Sequence, residues 1–219
     1  HLGIFFKGDD MISKKAMGLL AGASVASLMI AGGSASGTTF SGNYADLVIL
    51  TDTDFVILDN TFHATGDVTN SARIATGDLN SLAFLVDDNA IIDGALINTS
   101  LATISAVDSV AGPATATALR IDGTAPRVEN HGDIIAYANS HPTGQGAYAN
   151  ARAVEYDAQG LTDGVASLWN QEYISAHAEA FASYESGATA TAEAVGVDQY
   201  ATGNGAGVGS SALAEVTND

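Results

Sequence analysis

The chain has 219 residues, with 25 acidic side chains against 7 lysines plus arginines and a formal charge of −18. That balance disfavours nucleic acid and anionic membranes as partners, because both require clustered Lys and Arg. The chain has no cysteine, which excludes disulfides, zinc–thiolate and iron–sulfur centres and thiol nucleophiles.

Apolar residues make up 47% and charged residues 15%, a composition able to fold rather than remain an acidic coil. Much of the apolar share is alanine, so the expected core is thin and finely layered. The basic residues are unevenly placed. Lys7, Lys14 and Lys15 precede residue 16, which leaves Arg73, Arg120, Arg127 and Arg152 as the only arginine or lysine cations of the remainder.

In chain order, residues 1–10 (HLGIFFKGDD) fit no targeting signal and are read as translated upstream sequence, with Met11 as the natural start. Residues 11–36 read as a cleavable secretory signal peptide. Lys14-Lys15 form a positive n-region, Ala16 to Ile30 an apolar stretch, and AGGSASG the small-residue site, with cleavage expected after Ala35 or Ser36. The stretch is short for a membrane-spanning helix of about 20 residues and is rich in Gly, Ala and Ser.

Residues 37–66 hold larger apolar side chains (Leu47 to Leu50, Phe55 to Leu58) with Asp46, Asp52, Asp54 and Asp59. They are expected to form an N-terminal cap or the first coils of a repeat array.

From residue 67 to 219 the chain repeats itself. A hydrophobic residue, any residue, then Asn recurs at Val68 to Asn70, Leu96 to Asn98, Val128 to Asn130, Leu168 to Asn170 and Val216 to Asn218. An isoleucine follows the complete copies, at Ile74, Ile104, Ile134 and Ile174. A second block has alanine at alternate positions: ATATALRID (114–122), AYANARAVEYD (147–157) and ATATAEAVGVD (188–198), each ending in a hydrophobic pair and an Asp. The interval between asparagines grows along the chain, and a loop or extended hairpin at Ser140 to Gly146 and Ser183 to Gly187 is expected to absorb the growth.

The period is two. From Ile174 to Ala182, one face holds Ser, His, Glu and Phe and the other Ile and four alanines. Alanine favours helix, but the intervening Ser, Thr, Val, Tyr and Phe and the lack of a 3.6-residue stripe predict strands. The predicted fold is therefore all-β, a parallel β-helix or β-solenoid of irregular repeats, with coils about 4.8 Å apart. The recurring asparagine has two readings: a buried side-chain ladder or turn chemistry.

Few residues suggest chemistry. Asp52-Thr53-Asp54 could offer oxygens to calcium, but the motif is a fragment lacking the Gly and bidentate Glu of a calcium loop; turn or edge-charge duty is the expectation. His63, His131, His141 and His177 form no HExxH motif or close pair. No GxSxG elbow occurs, and Gly203 to Gly209 fits neither a dinucleotide nor a phosphate loop and reads as a flexible loop. No catalytic, cofactor-binding or metal-binding residue is assigned, and no cofactor is expected.

Val128-Glu-Asn-His-Gly-Asp-Ile-Ile-Ala136, followed by Ala-x-Ala-x-Ala blocks, resembles the passenger region of Gram-negative autotransporter-type surface proteins over residues 60–219. The resemblance implies a parallel β-helix displayed at the cell surface or outer membrane, or released outside the cell, with ligands on host, neighbouring-cell or glycan surfaces. It also implies a C-terminal outer-membrane barrel as the only link to a membrane. Barrel strands with aromatic girdles are missing here and the chain stops at the start of a repeat, so the expectation is an N-terminal fragment. The expected role is a non-catalytic passenger serving adhesion, contact or display. A secreted β-helix enzyme acting on polysaccharide and a structural surface-layer or matrix component are the alternatives.

Overall fold

The computed structural model describes residues 28–30, 37–77, 81–141, 146–158, 165–182, 189–201 and 213–218. Among them every regular element is a strand and every strand pairing is parallel. The first strands are β1 (Leu28–Ile30), β2 (Thr38–Phe40), β3 (Asn43–Tyr44) and β4 (Leu47–Ile49). Next come β5 (Val56–Leu58), β6 (His63–Ala64), β7 (Val68–Asn70) and β8 (Arg73–Thr76). They are followed by β9 (Ser81–Val86), β10 (Ile91–Ile92), β11 (Ala95–Asn98) and β12 (Thr103–Val110). Then come β13 (Ala114–Ile121), β14 (Arg127–Asn130), β15 (Asp133–Ser140) and β16 (Gly146–Ala158). The last are β17 (Val165–Asn170), β18 (Ile174–Ala180), β19 (Thr189–Ala201) and β20 (Leu213–Asn218).

These strands form four sheets, and no two hydrogen-bonded neighbours are consecutive in the chain. An asparagine sheet runs β1-β4-β7-β11-β14-β17-β20, and an isoleucine sheet β18-β15-β12-β8. An alanine sheet runs β19-β16-β13-β9-β5-β2, and a short sheet β10-β6-β3. Parallel neighbours need a long crossover, and here the crossover consists of strands of the other sheets. From β7 onward the chain visits the asparagine, isoleucine and alanine sheets in that order and returns. Each strand thereby lies on its counterpart from the preceding copy.

The register follows the repeat. Leu47, Val68, Leu96, Val128 and Leu168 form one column, and Ile74, Ile104, Ile134 and Ile174 another. Strands within residues 37–66 belong to the same sheets, and Ile49 occupies the asparagine position of its copy, opposite Asn70. The signal-peptide assignment lies outside the described residues except for Leu28–Ile30, which form β1 and pair with Leu47–Ile49. Residues 1–10, the expected cleavage site, the expected loop or hairpin at Ser183 to Gly187 and the Gly203 to Gly209 run also lie outside them.

Two expectations are corrected. Growth of the copies is not confined to loops, because the alanine sheet itself lengthens. Its strands have three residues in β5, six in β9, eight in β13 and 13 in both β16 and β19. Nor is Ser140 to Gly146 the tip of a hairpin. β15 and β16 belong to different sheets and share no backbone pairing, so they do not form a β-hairpin; residues 142–145 between them lie outside the described residues. In the alanine sheet Asp198 lies opposite Glu155.

The alanine sheet also has a corner. Ala83-Phe84, Ala118-Leu119 and Ala153-Val154 are consecutive residues that both point inward, and the pairing register skips Ala118 and Ala153. Before the corner, Ala114, Ala116, Ala149 and Ala151 face the isoleucine sheet's Ala106, Ala136 and Ala138, making a thin two-sheet arm. After it, Leu119, Ile121, Val154 and Tyr156 enter the main core with Leu58, Phe62, Ile74, Phe84 and Ile92. A buried Leu, Ile or Phe contributes about 1.5–3 kcal/mol by apolar burial and alanine far less, so the main core carries most of the stability.

Candidate functional site

The asparagine ladder fixes the turn that leads from the asparagine sheet into the isoleucine sheet. Asn70 Nδ2 donates to Asn98 Oδ1 at 2.9 Å, and Asn98 to Asn130 at 2.8 Å. Asn130 donates to Asn170 at 2.7 Å, and Asn170 to Asn218 at 2.6 Å. These bonds join residues 28, 32, 40 and 48 positions apart, and Asn70, Asn98, Asn130 and Asn170 are buried. The second amide proton is used locally, from Asn70 to Ala72 O and from Asn170 to Glu172 O. Ladder and turn chemistry thus operate together.

The turns held by the ladder differ in size. Between Asn98 and Ile104 two more residues intervene than between Asn130 and Ile134, and they close as a tight turn with Ala102 N donating to Thr99 O at 2.9 Å. This pushes Leu101 out to 94% exposure. The next copy has only His131-Gly132 at the same place. Gly132 approaches so closely that a Cβ would stand 2.3 Å from Ala102 O and 2.4 Å from Thr99 O. The copy after that presents Gln171, Glu172 and Tyr173, all exposed.

A large turn, a small one and a bulky one side by side leave an open depression of ≈ 390 Å³, lined by Thr99, Ser100, His131, Gln171 and Glu172. His131 is fixed there. Its Nδ1 lies 2.7 Å from Gln171 Oε1, its Nε2 lies 3.4 Å from Glu129 Oε2, and Trp169 meets the ring edge-on at 5.2 Å. Both ring nitrogens thus face side-chain oxygens, and the imidazole organises the floor of the depression.

The structure does not bring the other histidines to this place. His63 pairs with Asp93 at 3.0 Å on the short sheet, and His141 is exposed just after β15. His177 stacks on Tyr137 at 5.2 Å and bonds Glu179 at 3.0 Å. The hydrogen bond from His177, then that from the Tyr137 hydroxyl, holds the Glu179 carboxyl below its ordinary range. Asp52 Oδ1 accepts the backbone N–H of Arg73 at 2.9 Å, a bond between neighbouring copies. Among the described residues no group of three or more His, Cys, Asp or Glu is arranged to hold a metal.

Three arginines sit against carboxylates: Arg120 on Asp122, Arg127 on Glu129, and Arg152 between Glu155, Glu193 and Asp198. One acid that sequence reasoning missed is Asp108, wholly buried in the alanine-lined arm. Its Oδ2 accepts the N–H of Thr115 at 2.8 Å, bracing the two sides of the arch. Ser140 does the same in the next copy, accepting from Tyr148 N at 3.2 Å. The signal for Asp108 lay in the period of two, since it shares the inward phase of Ile104 and Ala106.

Comparison with known proteins adds no relative: no family model, no curated protein and no solved structure matches the chain.

Proposed function

We propose that the chain is a parallel β-solenoid belonging to an exported surface protein, a non-catalytic passenger-like region serving adhesion, contact or display. The single observation carrying this reading is the cyclic passage of the chain through three sheets, with each copy registered on the last and asparagines bonded from copy to copy. Such a framework builds length and repeated outer surfaces. The signal-like stretch from Met11 and the acidic composition support export into a medium where self-repulsion keeps the protein soluble. Within this proposal, residues 37–66 are the first coils, and cleavage of residues 11–36 leaves β4 as the first strand of the asparagine sheet. Arginines committed to neighbouring carboxylates support a structural role over polysaccharide cleavage. The resemblance to autotransporter passengers supplies the cell-surface context.

The test is fractionation and protease accessibility of the protein in a Gram-negative cell, with N-terminal sequencing of the exported form. The expected result is a chain accessible on intact cells that begins after Ala35 or Ser36. A cytosolic chain retaining Leu28–Ile30 would overturn the proposal.

A further inference from the structure

We infer that the depression between the turns at Thr99-Ser100, His131 and Gln171-Glu172 is a binding site for a neutral carbohydrate. The inference deepens the surface-protein reading and rests on it for the ligand's setting. Three observations carry it. The first is the shape: an open depression of ≈ 390 Å³ takes one or two sugar rings on a surface and does not enclose an apolar ligand, which requires a deep, largely apolar cavity.

The second is the chemistry of the lining. Thr99 and Ser100 offer hydroxyls, Gln171 an amide and Glu172 a carboxylate. Ser100, Gln171 and Glu172 are exposed, while the half-buried Thr99 hydroxyl already donates to Ser71 Oγ at 3.3 Å; the exposed donors and acceptors match the vicinal hydroxyls of a saccharide. The lining has no lysine or arginine, and a chain of charge −18 repels an anion at long range. Sulfated and uronic-acid polymers are therefore disfavoured.

The third is the rim. Leu101 and Tyr173, 94% and 57% exposed, are next in chain to Ser100 and Glu172 and stand on opposite sides of the recessed copy. An exposed tyrosine at a polar depression offers an apolar ring for the C–H face of a sugar and a hydroxyl for its edge. The floor is preorganised, because Gln171, His131 and Glu129 are bonded in series and the buried ladder holds the turns from behind. Preorganised polar groups lose little entropy on binding.

The test uses the purified chain and saturation-transfer NMR. The probes are short oligomers of glucose, galactose, mannose and N-acetylglucosamine, with a sulfated oligosaccharide and an oligolysine as charged controls. A neutral oligomer is expected to bind with a Kd of about 1 mM. Tyr173→Ala and Gln171→Ala are each expected to weaken it about tenfold, while Tyr148→Ala, on the alanine sheet, changes nothing. The circular dichroism of all three variants is expected to match the parent.

Absence of binding by every neutral oligomer would overturn the inference, as would equal or tighter binding of a charged probe. Equal weakening by Tyr148→Ala would do the same. Each of these outcomes leaves the export assay unaffected, so failure of the site and failure of the surface reading are separable.

Discussion

Asn130 is the most exacting position on the chain, because its amide donates to one neighbour and accepts from another inside the protein. Asn130→Ala leaves Asn98 Nδ2 and Asn170 Oδ1 without their ladder partners, and an unsatisfied buried polar group costs about 1–3 kcal/mol. A loss of at least about 2 kcal/mol in urea unfolding is expected; an unchanged midpoint would mean that the ladder contributes nothing. A second residue-scale prediction concerns pH. Burial pushes the Tyr156 phenol well above its ordinary value of 10.0, and its hydroxyl donates to Ala125 O. The unfolded tyrosine ionises near pH 10 while the folded one stays neutral. The stabilisation is therefore complete below that pH and is lost as pH rises from there toward the folded value. Stability measured from pH 9 to pH 11.5 should fall more steeply in the parent than in Tyr156→Phe, and equal slopes would assign the alkaline loss to other groups.

At the scale of the element, the turn at Gly132 differs from the arch at Gly112. A Cβ at Gly132 would run into two backbone oxygens, whereas one at Gly112 meets nothing within 4 Å. Gly132→Ala is thus expected to cost about 1–3 kcal/mol through a forced backbone shift, and Gly112→Ala to be close to neutral, both read by thermal unfolding. Equal effects would mean that the turn relaxes freely. The strands themselves were legible from the sequence because a period of two with one small-residue face has few other solutions, and the columns at Val128 and Ile134 follow from the repeat. The alanine sheet was legible only in part. Its corner sits where two consecutive inward residues interrupt the alternation, and a period of two does not anticipate that break. The depression was not legible at all. It arises because the turn after Asn98 is longer than those after Asn130 and Asn170, and because the latter two differ in side-chain bulk, differences that acquire meaning only once those copies lie side by side.

Across the whole molecule, large apolar side chains and alanines are unevenly distributed along the stack. Phe40, Leu58, Phe62, Phe84, Ile92 and Leu96 are buried in the earlier copies, while in the later copies the arm between the isoleucine and alanine sheets is filled by Ala136, Ala138, Ala149 and Ala151. Each copy contacts chiefly its neighbours, so stability is a sum of local terms, and opening free energies differ from region to region. Alanine buries little area, so the arm holds together by close sheet approach, backbone ladders and the brackets at Asp108 and Ser140. Burial of large side chains at about 25 cal/mol per Å² gives the main core the larger share. Amide hydrogen exchange with mass spectrometry should accordingly find the slowest exchange in peptides spanning β5 to β11. Faster exchange is expected in the first legs of β16 and β19, residues 146–151 and 189–194, even though both strands are 13 residues long. Asp108→Ala should quicken exchange in β12 and β13 before it is felt at β5, because the lost bracket belongs to the arm. Uniform protection from β5 to β19 would show instead that the stack opens as one unit and that large side chains near its beginning stabilise every copy alike.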